Sequence, residues 1–507
     1  MIKNNTMLFF GGFFLIATII PQVMGFQGSD ISWLQYAAER VLNGEVLNVE
    51  VIESNPPLIV YLNMIPVFIG KILGVSAQIC FVAFVALLTL ISLWACFKIT
   101  QENWLRLALI FALTFYAGVN FGQREHFMLI FALPYLLLLG EGREGHKNLT
   151  IFAALFASFG LALKPFYLLI WAMAAIFYAI YKRDITKLFI RENFIIGIML
   201  LLYILYLLLI ERNYAFEVFP WVLEFYGGFK YNFWKVFLYI YGSVILAQVS
   251  FWMIFFFCRK CLNRRIWLFW VCNTAALITV QAQQMGWPNH FYPAHAFAIL
   301  LNISLIFALF ENLKARYSKL IIFLASFILT IFLALGFVAN ITIGFGLNAE
   351  KLKEQIAIIN QYAKGGNVAT LSFDLASAFP AIYYSEADYK SRYAHLWMLP
   401  GIYQNAKPDE NDKIAYHPSG ARSDWEIRMI ARVVGDIAHN PPHLIIVPER
   451  KYNTDAIGDF YFDFVEYFST SEDFRNIWEN YKEVARIDEH VFYAYKPATI
   501  DKETERE

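Results

Sequence analysis

Long apolar runs and short polar connections alternate through the first two thirds of the chain. The runs fall near 7–25, 57–73, 76–97, 107–121, 127–140, 149–163, 165–181, 193–210, 234–257, 266–280, 291–310 and 320–340. A helix crossing a bilayer needs roughly 17–25 apolar residues, so these runs, extended into their flanks, predict spanning helices. The segment 57–73 is the exception. It opens with Pro56-Pro57, contains Pro66 and ends near Lys71, and it reads as a surface or re-entrant segment. Depending on that segment, the pattern predicts a polytopic α-helical membrane protein with about 11–12 transmembrane helices.

Two stretches break the rhythm. In 30–42, Ile31, Leu34, Ala38, Val41 and Leu42 recur at helical spacing, and Asn43-Gly44 supplies a stop. That pattern predicts an amphipathic helix lying along the membrane surface. From about residue 350 the long apolar runs cease and charges become frequent. Helices are predicted over 350–362 and 424–437, and strands over 367–373, 443–448 and 491–495. The expected organisation is therefore a multispanning module over 1–345, which includes a first outer loop at 26–57, then a soluble α/β domain over 350–500 and a charged tail over 501–507. There is no internal repeat and no Gly-rich phosphate loop.

Composition supports the membrane reading. The chain is 59% hydrophobic and 16% charged, which excludes an ordinary soluble enzyme. Its formal net charge of zero supplies no basic field for nucleic acid. Cys80, Cys96, Cys258, Cys261 and Cys272 sit in or beside apolar runs, so no disulfide framework is expected. The Cys258-Arg259-Lys260-Cys261 motif reads as membrane-edge cysteines rather than a metal site. The first run has no small-x-small cleavage site before Gln27 and is expected to remain as a helix.

Charge fixes the orientation. Lys182, Arg183, Lys187 and Arg191 lie in one loop, Arg259, Lys260, Arg264 and Arg265 in another, and Lys314, Arg316 and Lys319 in a third. Basic loops stay cytoplasmic. Counting spans from them places Gln123-Arg124-Glu125-His126, Lys164 and the segment Gln281–His290 on the opposite face, and Asp30 joins them if the N-terminus is cytoplasmic and 57–73 does not cross. The aromatic loop 211–233 and everything after 341 fall on that face too. Ionisable residues at the edges of apolar runs tend to face a protein cavity. A carboxylate, two cations and histidines gathered there suit a lipid-phosphate substrate. Arg124 and Lys164 would hold a phosphate and stabilise it as it leaves, and Asp30 would take a proton from an incoming hydroxyl.

Plainer roles exist for each residue. Asp30 suits the N-cap of its helix. Arg124 suits a snorkelling anchor paired with Glu125. Lys164 before Pro165 suits a helix-end charge, and His126, Trp287 and His290 suit an interfacial belt.

The order of these features resembles the glycosyltransferase C superfamily, polytopic enzymes that use polyprenyl-phosphate sugars and include protein mannosyltransferases and aminoarabinose transferases. The resemblance rests on Asp30 opening the first outer loop, the helix closing at Asn43-Gly44, Pro56-Pro57-Leu58 leading back to the membrane, the charged pair Arg124-Glu125, and an outer domain after the last span. Ile31 stands where relatives often carry a second acid, Trp33-Leu34 where they carry Arg-Tyr, and Asn55 where they carry a lysine.

The resemblance implies an inverting glycosyltransferase of the bacterial inner membrane, with its C-terminal domain extracytoplasmic. It would move a monosaccharide from a polyprenyl phosphate to a hydroxyl of a glycan, lipid or protein. Asp30 and Glu125 would be catalytic, and Arg124, His126, Lys164, Asn55, Trp287 and His290 would bind substrate. A divalent metal held by Glu125 with His126 or His290 is the one cofactor in view. The alternatives are a transporter or flippase of lipid-linked sugar and a non-catalytic membrane subunit.

Overall fold

The computed structural model describes residues 3–143, 146–239, 243–312 and 349–495. The predicted run 320–340, the basic residues Lys314, Arg316 and Lys319, and the tail 501–507 lie outside the described residues. The chain divides into two units. One comprises 1–27, 55–212 and 231–346, and the other comprises 28–54, 213–230 and 347–507. The segments 28–54 and 213–230, which sequence pattern attaches to the spans, thus belong with the C-terminal part.

The first unit is a helical bundle. Its helices are α1 (Asn4–Met24), α3 (Leu58–Leu73), α4 (Ala77–Ile99), α5 (Asn103–Leu113), α6 (Arg124–Glu141), α7 (Lys147–Ala162), α8 (Leu168–Lys182), α9 (Arg191–Leu209), α11 (Phe233–Tyr239), α12 (Ser243–Phe257), α13 (Arg264–Gln283) and α14 (Pro288–Asn312). The second unit contributes α2 (Ser29–Leu42) and α10 (Phe219–Phe225) to the numbering. Among the described residues, six helices are long and apolar enough to cross a bilayer: Asn4–Met24, Ala77–Ile99, Pro165–Lys182, Arg191–Leu209, Arg264–Gln283 and Pro288–Glu311. Shorter apolar helices occupy Leu58–Leu73, Lys147–Ala162 and Ala247–Phe256. These helices lie on the predicted runs, and the protein is an integral membrane protein.

The centre of this bundle is α6. It is buried along its whole length from Arg124 to Gly140, as expected of a helix that is apolar all round. Gly160 allows α7 to approach it closely. A Cβ there would lie 2.8 Å from Phe131 Cβ and 2.9 Å from the Met128 carbonyl oxygen. Small residues bring helix backbones together where lipid offers no hydrophobic drive. Other polar side chains tie the bundle internally. Asn273 donates to the Ala294 carbonyl at 2.7 Å and accepts from Gln248, and the Tyr135 hydroxyl donates to Asn193 at 2.6 Å.

The two ends of the bundle differ. At one end, Arg264 donates to the Gly140 carbonyl, Arg265 pairs with Glu102 and Glu141, and Arg143 pairs with Glu192. That end carries the basic loops. At the other, Gln78 at the start of α4 donates to the carbonyls of Gln22 and Gly25, and Gln22 donates to Gly118. Helix α3 touches this second end at both of its termini. Its start meets the C-terminal end of α9, where the Tyr203 hydroxyl accepts from the Leu58 amide and Tyr61 bonds Glu211. Its last turn runs through Gly74 directly into α4. The segment is thus a regular helix along one face of the bundle. Ile65, Phe68, Ile69 and Ile72 form its exposed stripe.

The second unit is built on a five-stranded sheet of order β2-β1-β3-β7-β6. Its strands are β1 (Asn367–Thr370), β2 (Asp388–Tyr389), β3 (Leu444–Pro448), β6 (Tyr481–Ile487) and β7 (His490–Tyr495), and a separate hairpin joins β4 (Lys451–Thr454) to β5 (Gly458–Tyr461). Strands β1, β2 and β3 are parallel, and β7 runs antiparallel to β3 with Ile446 opposite Phe492. Two helices accompany the sheet, α15 (Ala349–Ala363) and α16 (Asp424–His439). The Ser423 hydroxyl caps α16 by accepting the Glu426 amide, and Met429, Ile430, Val433, Val434 and Ile437 supply its buried face.

The segment 213–230 packs into this unit through backbone. At Gly401 a Cβ would fall 2.0 Å from the Phe225 carbonyl oxygen, and at Gly228 a Cβ would fall 2.3 Å from the Gly401 nitrogen. Only glycine fits at both positions. Beside them Trp221, 1% exposed, stacks on Tyr393. Helix α2 is likewise interior, with Trp33, Leu34, Ala37 and Ala38 buried. It is amphipathic as expected, but its apolar face is covered by protein rather than by the membrane surface.

The Cys258–Cys261 pair lies at the end of α12 and is bonded, whereas Cys80, Cys96 and Cys272 are free and buried.

Candidate active site

Within the helical unit, polar residues from three sequence-distant elements meet at the end of the bundle opposite the basic loops. Gln123 stands at the N-cap position of α6, so Arg124 and Glu125 occupy its first turn. An acid is favoured there by the helix dipole. The Glu125 side chain is 1% exposed. Its Oε1 lies 3.4 Å from Lys164 Nζ, and its Oε2 accepts from Asn289 Nδ2 at 3.3 Å. Tyr167, also buried, flanks the carboxylate.

Lys164 sits in the break between α7 and α8, where Pro165 forces a new start. Its ammonium lies 2.8 Å from His290 Nε2 in the first turn of α14. An ammonium only donates, so Nε2 accepts and the ring is neutral with its proton on Nδ1. His290 Nε2 is also 3.9 Å from Glu125 Oε1. Trp287 stands edge-on to the His290 ring, centroids 5.3 Å apart. Removing the Lys164 charge would leave the buried Glu125 carboxylate with less compensating positive charge, which costs stability. The pair holds Lys164 in one place, and a cation fixed in a largely buried site is a preorganised electrostatic device.

Glu125, Lys164 and His290 therefore come together as the sequence suggested, with Arg124 next to Glu125 in the same turn and Trp287 against the His290 ring. His126 does not join them. Its Nδ1 accepts from the Gly122 amide at 3.0 Å, and its Nε2 donates to the Leu113 carbonyl at 2.8 Å. Both ring nitrogens are spent on backbone, so His126 closes the 113–122 turn and has none to offer a ligand. Asn55 is half-buried at the turn that opens α3. Asp30 belongs to the other unit, in the first turn of α2 and half-buried. It is not the N-cap. That position is Gly28, two residues earlier.

Asn289 and Tyr167 were missed as individual partners of Glu125. The 281–290 cluster was visible in sequence, but nothing in it encodes a hydrogen bond across 164 positions. A divalent metal fits this arrangement poorly. Glu125 already serves Lys164 and Asn289, His126 is committed to backbone, and among the described residues no three His, Cys, Asp or Glu side chains gather as ligands.

No protein-family model matches the chain, and no curated protein matches it in sequence. Solved structures do match. The structure of ArnT from Cupriavidus metallidurans, bound to undecaprenyl phosphate, superposes with a TM-score of 0.56 at 12% identity, covering 97% of this chain and 98% of that one. The arabinofuranosyltransferase AftD from Mycobacteria gives a TM-score of 0.43 at 11% identity, covering 97% of this chain and 40% of that one. The ArnT likeness runs nearly end to end through spans and sheet domain alike. The chain therefore has the fold of that ArnT structure.

Proposed function

We propose that the protein transfers a monosaccharide from a polyprenyl phosphate to an acceptor hydroxyl, with inversion, at the outer face of a bacterial inner membrane. The observation that carries this reading is the buried Glu125–Lys164–His290 cluster at the end of the bundle opposite the basic loops. A fixed cation at the level of lipid headgroups is what a departing phosphate needs. The ArnT fold, found in a protein solved with undecaprenyl phosphate, supports the same donor class.

In the proposed reaction, the Asp30 carboxylate removes the acceptor's hydroxyl proton. The freed oxygen attacks the anomeric carbon from the face opposite the phosphate. The bond from that carbon to the phosphate oxygen breaks, and polyprenyl phosphate leaves with its added negative charge stabilised by Lys164 and Arg124. Glu125 holds Lys164 in position, assisted by Asn289. The outer α/β domain binds the acceptor, a glycan, lipid or protein. No step passes through a metal.

The test compares membranes carrying equal amounts of wild type and Lys164→Ala, with mass spectrometry of the polyprenyl-phosphate sugar pool and of envelope glycans. The expected result is accumulation of one lipid-linked sugar and a fall in its transfer of about 100-fold or more, the scale of losing one preorganised charge. An unchanged pool, with the variant stably inserted, would remove Lys164 from the reaction.

A further inference from the structure

From the packing of α2 we infer that Arg40 is a positioning residue for Asp30, fixing the helix that carries this carboxylate to the sheet domain. This rests on the reading of Asp30 as the base.

The segment 28–54 leaves the helical unit after Gln27 and returns to it at Asn55. Between those points it packs as part of the sheet unit. The Tyr36 hydroxyl accepts from the Tyr389 amide in β2 at 2.6 Å, and the Tyr383 hydroxyl donates to Gln35 Oε1 at 2.7 Å. Trp33 packs edge-on against Phe379 and Tyr389, and its indole donates to Glu53 at 2.6 Å.

Arg40 ties these parts together. It is 6% exposed. Its Nε donates to Glu45 at 2.7 Å, one terminal nitrogen donates to the Glu50 carbonyl at 2.9 Å, and the other donates to the Ser391 carbonyl at 2.7 Å. One planar guanidinium thus joins the end of α2, the turn after it, and the segment following β2, which is 351 positions away. A lysine has no such fork. The next residue, Arg392, donates to both oxygens of Asp436 on α16, and its carbonyl accepts from the Ile52 amide at 2.8 Å. The chain of contacts runs from α2 through Arg40 to the core of the sheet domain.

Asp30 lies ten residues from Arg40 on one helix, about 15 Å along its axis. The side chains that dock this helix are Trp33, Gln35, Tyr36 and Arg40, and they set the direction in which its first turn points. A misplacement of about 1 Å at a reacting group can reduce a rate 100-fold. Arg40 touches no reacting atom in this scheme and acts by holding the frame.

The test uses full-length protein in detergent, with a lipid extract of the producing cells' membranes as donor mixture and membrane-derived acceptor. Rates are measured over a range of extract for wild type, Asp30→Asn, Arg40→Ala, Arg40→Lys and the double variant Asp30→Asn/Arg40→Ala. The expected result for Arg40→Ala is a maximal rate reduced at least tenfold with the half-saturating amount of extract unchanged. Arg40→Lys should recover part of the rate. The double variant should be no slower than Asp30→Asn, because a misplaced base costs nothing once the base is gone.

Wild-type maximal rate in Arg40→Ala, with Asp30→Asn inactive, overturns the inference and spares the base. Wild-type rate in Asp30→Asn overturns the base itself. If Arg40→Ala does not fold, Tyr36→Phe loosens the same helix more gently. A fall in its maximal rate supports the inference, and a wild-type rate counts against it.

Discussion

His126 and His290 show how little residue type says about role. Both are histidines at the edge of apolar runs, and the sequence treats them alike. One has its two nitrogens closed by backbone at 3.0 and 2.8 Å, while the other faces an ammonium. His126→Phe should therefore lower the thermal midpoint while leaving the specific activity of folded protein near wild type. It strands two buried backbone groups, at about 1–3 kcal/mol each. A circular-dichroism melt in detergent, paired with a transfer assay, separates the two effects. His290→Phe should show the reverse, with activity lost and the midpoint less affected.

In the sheet unit, burial pushes His395 down to about 4, against the opposing pull of the Asp374 and Glu53 carboxylates. Unfolded, it would titrate near about 6.5. Between those values the unfolded chain binds the extra proton, so stability falls as pH drops from 6.5 toward 4, by up to about 1.4 kcal/mol per unit. Replacing His395 by Gln should flatten that part of the stability profile, measured as the melting midpoint between pH 7.5 and 4.5.

Among elements, spans were legible because an apolar run of span length has few other fates in a chain this hydrophobic. Predicted runs such as 76–97 and 193–210 differ from α4 and α9 by at most two residues at either end. The segment 57–73 also proved to be a regular helix, α3, in spite of its prolines. Strands were less visible. β2 has two residues, too few for any alternation, and β6 mixes Lys482, Glu483 and Arg486 into an edge strand. The close packing of α6 against α7 was not legible either, since Gly160 looks like any glycine in an apolar run. Gly160→Val should force α7 away from Phe131 and Met128, and about 1–3 kcal/mol of overpacking should appear as reduced yield and a lower midpoint. Gly197, which has nothing within 4 Å of its Cβ position, serves as the control.

At the scale of the molecule, the division into units was the least legible feature. The sheet unit is assembled from 28–54, 213–230 and 347–507, and no local pattern joins segments so far apart. A fragment starting at residue 347 should lack the covers over Phe379, Tyr389 and Tyr393, and it should aggregate or bind hydrophobic dyes rather than fold alone. The candidate site was legible as a set of polar clusters on one face, while the bonds inside it were not. The fold places the chain among structures such as ArnT, but fold alone does not fix chemistry. The most direct measurement is mass spectrometry of polyprenyl-phosphate species in membranes from cells that lack the protein and cells that overproduce it. One polyprenyl-phosphate sugar should accumulate without the protein and fall when it is overproduced, with free polyprenyl phosphate rising in return. Pools that stay the same in both strains would contradict a sugar transferase with a lipid-linked donor.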